Sequence, residues 1–121
     1  MTRDIQKWLN QFGKNWKDRD PKSVLELFSE NVEYHEIPTQ KLQNKEEIRK
    51  EWQGIHKQKD INLDFEVYSG DENKYTVKWH LEYTQNFERK VLNGIYLIEL
   101  DEENRCTEFW QYCQLEQLVV S

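Results

Sequence analysis

The residues best placed to do chemistry lie in Val32-Glu33-Tyr34-His35-Glu36-Ile37-Pro38. Alternation puts Val32, Tyr34 and Glu36 on one face of a strand and Glu33, His35 and Ile37 on the other. Two apolar positions followed by a carboxylate on the same face is how a strand runs from a core into a pocket. A carboxylate walled by apolar groups holds its proton more tightly and can take up or release one near neutrality, which makes Glu36 a candidate general base. The alternative is a solvated acid at a strand end. Tyr34 and Tyr96 carry hydroxyls that can donate to a developing oxyanion, or be satisfied locally in a core. Together the three are the candidate catalytic set, for proton abstraction or transfer on an apolar carbonyl-type or hydroxylated compound.

The candidate ligand wall is aromatic. Phe12, Trp16, Trp52, Trp79 and Phe109 fall on faces that turn inward, with plain core packing as the competing role. Gln111 shares the parity of Phe109 and is a candidate polar anchor or a partner for Glu36. His56 is the histidine nearest the expected pocket and a candidate proton relay. His35 and His80 lie on the outward parity, and no spacing pairs histidines or cysteines as ligands, so neither a metal nor a cofactor is expected. No glycine-rich phosphate loop, nucleophile elbow or Cys-His pair occurs.

The elements that must position these residues follow from periodicity. Ile5, Trp8, Leu9, Phe12 and Trp16 form one helical stripe, predicting a helix over Thr2–Lys17 with Thr2 as its cap and Asp4 suited to its positive end. Asp20-Pro21 opens a short second helix ending near Phe28. The strand Val32–Ile37 follows, and Pro38 stops it. Pro38–Gln43 reads as a polar loop. Asn44 caps a third helix, with Glu47 able to reach back and Ile48, Trp52, Ile55 and His56 on its inner side. From Ile61 the period becomes two. Ile61–Val67, a loop over Ser69–Asn73, Tyr75–Tyr83, a turn over Thr84–Arg89, Val91–Leu100, a turn over Asp101–Asn104 and Arg105 to about Leu115 make four long antiparallel strands. Glu116–Ser121 is ambiguous. Tyr75, Val77, Trp79, Leu81 and Tyr83 should face in, and Lys78 and His80 out. Helices segregated from hairpins mean an α+β domain, a bent, mainly antiparallel sheet closed by three helices into a cone with a pocket inside.

A length of 121 residues suits a single domain over 1–121. Apolar residues are only 36% against 33% charged, and there is no alanine, so five Trp, six Tyr and five Phe must supply the buried area. A net charge of −6 with interspersed signs argues against nucleic acid or an anionic membrane as partner. No apolar run reaches membrane-spanning length, and no signal-peptide core is seen. Cys106 and Cys113 are seven apart in one strand, which predicts opposite faces and a separation of roughly 20 Å, too far for a disulfide. Free thiols suit a reducing cytoplasm. On the outer parity Ile95, Leu97, Trp110 and Tyr112 would form an exposed apolar patch, the expected face of a homodimer.

The order of elements resembles the NTF2-like superfamily and, within it, the SnoaL-like proteins. The likeness is carried by the aromatic stripe through Trp16, by Asp20-Pro21, Leu27-Phe28 and Val32–Pro38, by Glu46-Glu47-Ile48-Arg49 leading to Trp52, and by Asp101–Trp110. It spans nearly the whole chain. It implies a conical α+β barrel with an interior cavity for a small apolar or aromatic ligand, and commonly a homodimer. The superfamily holds isomerases, dehydratases, polyketide cyclases, epoxide hydrolases and non-enzymatic binders, so a cofactor-independent enzyme and a ligand- or peptide-binding domain are both implied. Counting against the ketosteroid isomerases, the catalytic carboxylate falls at Glu36 and the second oxyanion donor near Tyr96. The first donor, a tyrosine, falls at Phe12, which has no hydroxyl.

Overall fold

The computed structural model describes the backbone of residues 4–37 and 40–119, and side chains over 4–36 and 41–114. Three helices, α1 (Ile5–Lys17), α2 (Pro21–Leu25) and α3 (Lys45–Trp52), precede or interrupt a six-stranded sheet. A 3-10 turn, Gln53–Lys57, extends α3. The strands are β1 (Phe28–Ile37), β2 (Gln40–Leu42), β3 (Lys59–Asp71), β4 (Lys74–Gln85), β5 (Glu88–Leu100) and β6 (Cys106–Val119). Their order is β2-β1-β6-β5-β4-β3, antiparallel throughout except for the parallel pair β1–β6. The helices lie across the concave face of this curved sheet, the conical α+β architecture expected.

The stripe on α1 is buried from Trp8 to Trp16, with Leu9 and Phe12 wholly inaccessible. The helix begins later than expected. Asp4, in extended conformation, accepts from the Lys7 N–H at 2.9 Å and is the cap, while Thr2 lies outside the described residues. Asn104, in the β5–β6 turn, bonds both the N–H and the carbonyl of Asp4, fastening this helix end to the sheet. Asn44 caps α3 as anticipated, and Glu47 reaches one residue further back, to the Gln43 N–H at 2.8 Å.

Several boundaries differ from the sequence reading. β1 starts at Phe28 rather than Val32, because Phe28 is already paired with Cys106 and the polar Ser29-Glu30-Asn31 stretch is absorbed in a bulge before Glu33. Part of the expected loop after Pro38 is the short β2, with Leu42 opposite Tyr34. Two turns are tighter than expected: Glu72-Asn73 joins β3 to β4, and Asn86-Phe87 joins β4 to β5. Asn86 and Phe87 both have positive φ, 54° and 66°, the geometry of a two-residue hairpin turn matched to strand twist. The tail is a strand as far as Val119, where β6 lies opposite Arg89.

The cysteines require a correction. Simple alternation put them on opposite faces, but the β5–β6 register shifts between Glu99 and Leu100. The extra residue cancels the odd spacing. Cys106 is buried beside Leu100, and Cys113 lines the cavity, so both belong to the concave side and both are free.

The register of β4 is as expected. Val77, Trp79 and Leu81 are buried, Lys78 is exposed and His80 is on the outer side. Trp79 pairs with Gly94 on β5, and Gly94 is where the sheet makes room for it: a Cβ there would collide with the Trp79 indole and the Tyr112 carbonyl oxygen. Gly94→Ala is therefore expected to destabilise the protein by about 3 kcal/mol, at the upper end for overpacking, because a backbone atom cannot swing aside. Urea denaturation measures this, and a loss under about 1 kcal/mol would show that Trp79 is not held against the strand.

Candidate functional site

Between α1, the end of α3 and the concave sheet lies a cavity of about 370 Å³. Its wall includes Trp16 from α1, Trp52 from α3, Tyr34 and Glu36 from β1, Trp79 from β4 and Gln111 from β6. Six of the ten residues singled out from sequence thus share one space. They meet because β1 lies beside β6 in parallel, with Tyr34 opposite Phe109, so that β1's inner parity enters the same concavity as the long hairpins.

The other four stand elsewhere. Phe12, Tyr96 and Phe109 are fully buried and pack beneath the cavity rather than on its wall. Phe12 is in ring contact with Trp16, Trp52 and Tyr96, and Phe109 stacks on Tyr34 at 4.9 Å. Their support is indirect: they set the rings that do face the cavity. His56 is exposed on the 3-10 turn, because Ile55 takes the inward position there. It is not among the residues that line the cavity.

Glu36 is largely buried and its carboxyl is pushed up to about 7. Burial is the main cause, and the charge of Glu51 on α3 adds to it. A hydrogen bond from Tyr34 works in the opposite direction by favouring the ionised form. Tyr34 is itself held: its oxygen accepts from the Trp52 indole N–H at 3.0 Å, leaving its own proton for Glu36. Burial keeps the Tyr34 and Tyr96 hydroxyls protonated far above their ordinary range. The arrangement is a carboxyl group poised between its two protonation states, a hydroxyl donor touching it, and aromatic rings in the wall around both. That is the equipment for moving a proton on an apolar molecule.

The wall is braced by indole hydrogen bonds. Trp16 donates to the side-chain oxygen of Gln58 at 2.8 Å and stands edge-on to Trp52 at 4.9 Å. Gln58, Glu51, Tyr83 and Cys113 line the cavity and were not picked out from sequence. Cys113 was legible, since it continues the alternation of Phe109 and Gln111. Glu51 and Gln58 were not, because their inward reach depends on how the end of α3 and the following turn sit over the sheet.

The outer face carries the other histidines. His35 stacks flat on Trp110 at 3.5 Å and bonds Glu33 at 2.9 Å, and His80 bonds Asn93 and Glu82. Among the described residues no three His, Cys, Asp or Glu side chains gather as a metal site, and no helix is long and apolar enough to cross a membrane.

The SnoaL-like domain family model matches residues 8–109, which include every residue of the cavity wall apart from Gln111 and Cys113 on β6. The chain belongs to the SnoaL-like family. Among curated proteins, none matches this SnoaL-like chain by sequence. Solved structures match it closely in fold. SalBIII, an epoxide hydrolase/cyclase-like enzyme of pyran ring formation in the polyether salinomycin, superposes with a TM-score of 0.76 at 16% identity, covering 98% of both chains. RV0760c of Mycobacterium tuberculosis gives 0.79 at 12% identity over 98% of this chain and 97% of its own. The Δ5-3-ketosteroid isomerase of a Mycobacterium species gives 0.75 at 12% identity, over 92% and 97%. At such identities the likeness speaks for the fold alone, the NTF2-like cone.

Proposed function

We propose that this SnoaL-like protein is a cofactor-independent enzyme of the isomerase, cyclase or dehydratase type. It takes a small apolar or aromatic compound into the cavity and uses Glu36 to abstract or transfer a proton. The observation that carries the reading is the pairing of a largely buried, cavity-facing carboxyl with the Tyr34 hydroxyl. A domain that only grips a ligand gains nothing from a desolvated acid beside a donor, which is why a catalytic role is favoured over a ligand- or peptide-binding module using the same walls. Solved relatives in fold include an enzyme of ring formation and a ketosteroid isomerase, and a computationally designed 17-OHP binder shares the fold as well. The free cysteines suit a reducing cytoplasmic setting.

The test is the titration of Glu36. Its carboxyl carbon, followed by NMR, is expected to have a midpoint near 7 instead of the ordinary 4.5. A midpoint below about 5 removes the general base. The same shift has a consequence for stability. Between those two values the folded protein keeps a proton that the unfolded chain has released, so stability is full below about 4.5 and is lost as pH rises towards 7. The expected loss is on the order of 3 kcal/mol, and it is absent in Glu36→Gln.

The reading includes a homodimer. Ile95, Leu97 and Tyr112 are each more than a third exposed on neighbouring strands of the outer sheet face, beside the Trp110–His35 stack. A contiguous apolar patch of this kind is the mark of an interface. Light scattering at tens of micromolar is expected to give twice the chain mass, and Leu97→Glu to halve it. A monomer throughout rules the dimer out.

A further inference from the structure

Five tryptophans serve this chain, and four of their indole N–H groups have a partner. Trp8 donates to the Leu27 carbonyl, Trp16 to Gln58, Trp52 to Tyr34 and Trp110 to Glu108. Trp79, the one on the cavity's sheet wall, has none: its Nε1 is buried without a hydrogen bond. The Tyr96 hydroxyl is the second buried side-chain donor without a partner, and no other such group exists among the described residues. The two belong to one unit. Their rings stack at 5.2 Å and 20°, on adjacent strands of the concave face.

Buried donors left unpaired are rare, and each costs roughly 1–3 kcal/mol. A fold that satisfies four indoles and leaves the fifth, on its cavity wall and stacked on the ring of a second unpaired donor, has two donors to offer an acceptor. Gly94 lets Trp79 lie there, since any side chain at 94 would displace the indole. Gln111 lies in register with Tyr96 on β6 and lines the cavity, so an oxygen bound at this point sits on the same space as Glu36.

We propose that Trp79 is a specificity-determining residue: its indole N–H, supported by the hydroxyl of Tyr96 stacked against it, donates to an oxygen acceptor carried by an otherwise apolar ring compound. The site therefore selects a ketone or comparable carbonyl compound over the matching hydrocarbon. Both donors are buried, so a ligand oxygen reaches them only once the side chains that cover them move. That burial sharpens discrimination, because a ligand without an acceptor leaves the donors unpaired. The assignment rests on the cavity being the ligand site and is independent of whether Glu36 acts as a base.

The probes are 1-tetralone and tetralin, which differ by one carbonyl oxygen. Wild-type protein is expected to bind tetralone at least about tenfold more tightly than tetralin, the scale of a buried hydrogen bond. Trp79→Phe keeps a ring and removes the donor, and is expected to bring the affinities for the two compounds within about twofold of each other, whatever it does to both. Tyr96→Phe is expected to reduce the preference further in combination. A second readout uses unaltered protein: the Trp79 Nε1–H proton resonance moves downfield with tetralone and stays in place with tetralin. Glu36→Gln is expected to retain the preference, which separates this proposal from the catalytic one. Equal affinity for the two compounds, no binding of either at millimolar concentration, or a Trp79 resonance unmoved by tetralone overturns it.

Discussion

Glu36→Gln is expected to leave the fold intact and to lower turnover by roughly 10²-fold or more, the usual loss when a general base is removed. The amide has nearly the shape of the carboxyl and can keep a hydrogen bond to Tyr34, so the aromatic wall should not move. What it cannot do is accept a proton. The reaction can be followed before a natural substrate is known, by the exchange of α-hydrogens into D2O on a panel of cyclic ketones, read by proton NMR. For the wild type, kcat/KM should rise with pH and level off above about 7, as Glu36 ionises. Tyr34→Phe is expected to shift that rise to higher pH, because the bond that favours the ionised carboxylate is gone. A Gln variant as active as the wild type, or a rate indifferent to pH between 5 and 8, would remove Glu36 from the chemistry.

Phe12→Ala is expected to cost about 3–5 kcal/mol, a large share of what holds a domain of this size together. Phe12 is wholly inaccessible, and its ring meets Trp8, Trp16, Phe28, Trp52, Phe65, Tyr96 and Phe109. It is the point at which α1, α3 and the concave sheet all touch, so the vacancy left by alanine cannot be filled without moving several rings. Trp16 and Trp52 lean on it directly, and ligand binding should weaken with stability. Phe87 is the control. It sits 97% exposed at the β4–β5 turn, and Phe87→Ala should change stability by no more than about 0.5 kcal/mol. Equilibrium urea unfolding compares the two. A Phe12→Ala loss smaller than about 1 kcal/mol would mean that the core is not built around this ring.

Much of this molecule is written locally. The stripe from Ile5 to Trp16 specifies a helix and its buried side, because 3.6-residue periodicity needs only neighbouring residues to express it. The same is true of the alternation over Tyr75–Tyr83, which placed Trp79 and Leu81 inside and Lys78 outside. Asp20 and Asn44 cap the helices they precede. The position of Glu36 on the inner parity of β1 also follows from local alternation. The surroundings that give Glu36 its chemistry do not. Its proton is held by burial under residues that come from α3 and β4, and by the charge of Glu51, none of which is adjacent in sequence. A bulge in β6, set by pairing with β5, put Cys106 on the same side as Cys113 against the simple alternation. The packing of Ile55 turned His56 outward. The partners of the four bonded indoles were invisible too, since a hydrogen bond such as Trp16 to Gln58 spans 42 residues. Periodicity is a property of contiguous backbone, whereas desolvation, register and hydrogen-bond satisfaction depend on which distant segments come together. The sequence by itself therefore determined the elements and their inner faces, and only the tertiary structure decided which side chains share the cavity and which donors within it remain unpaired.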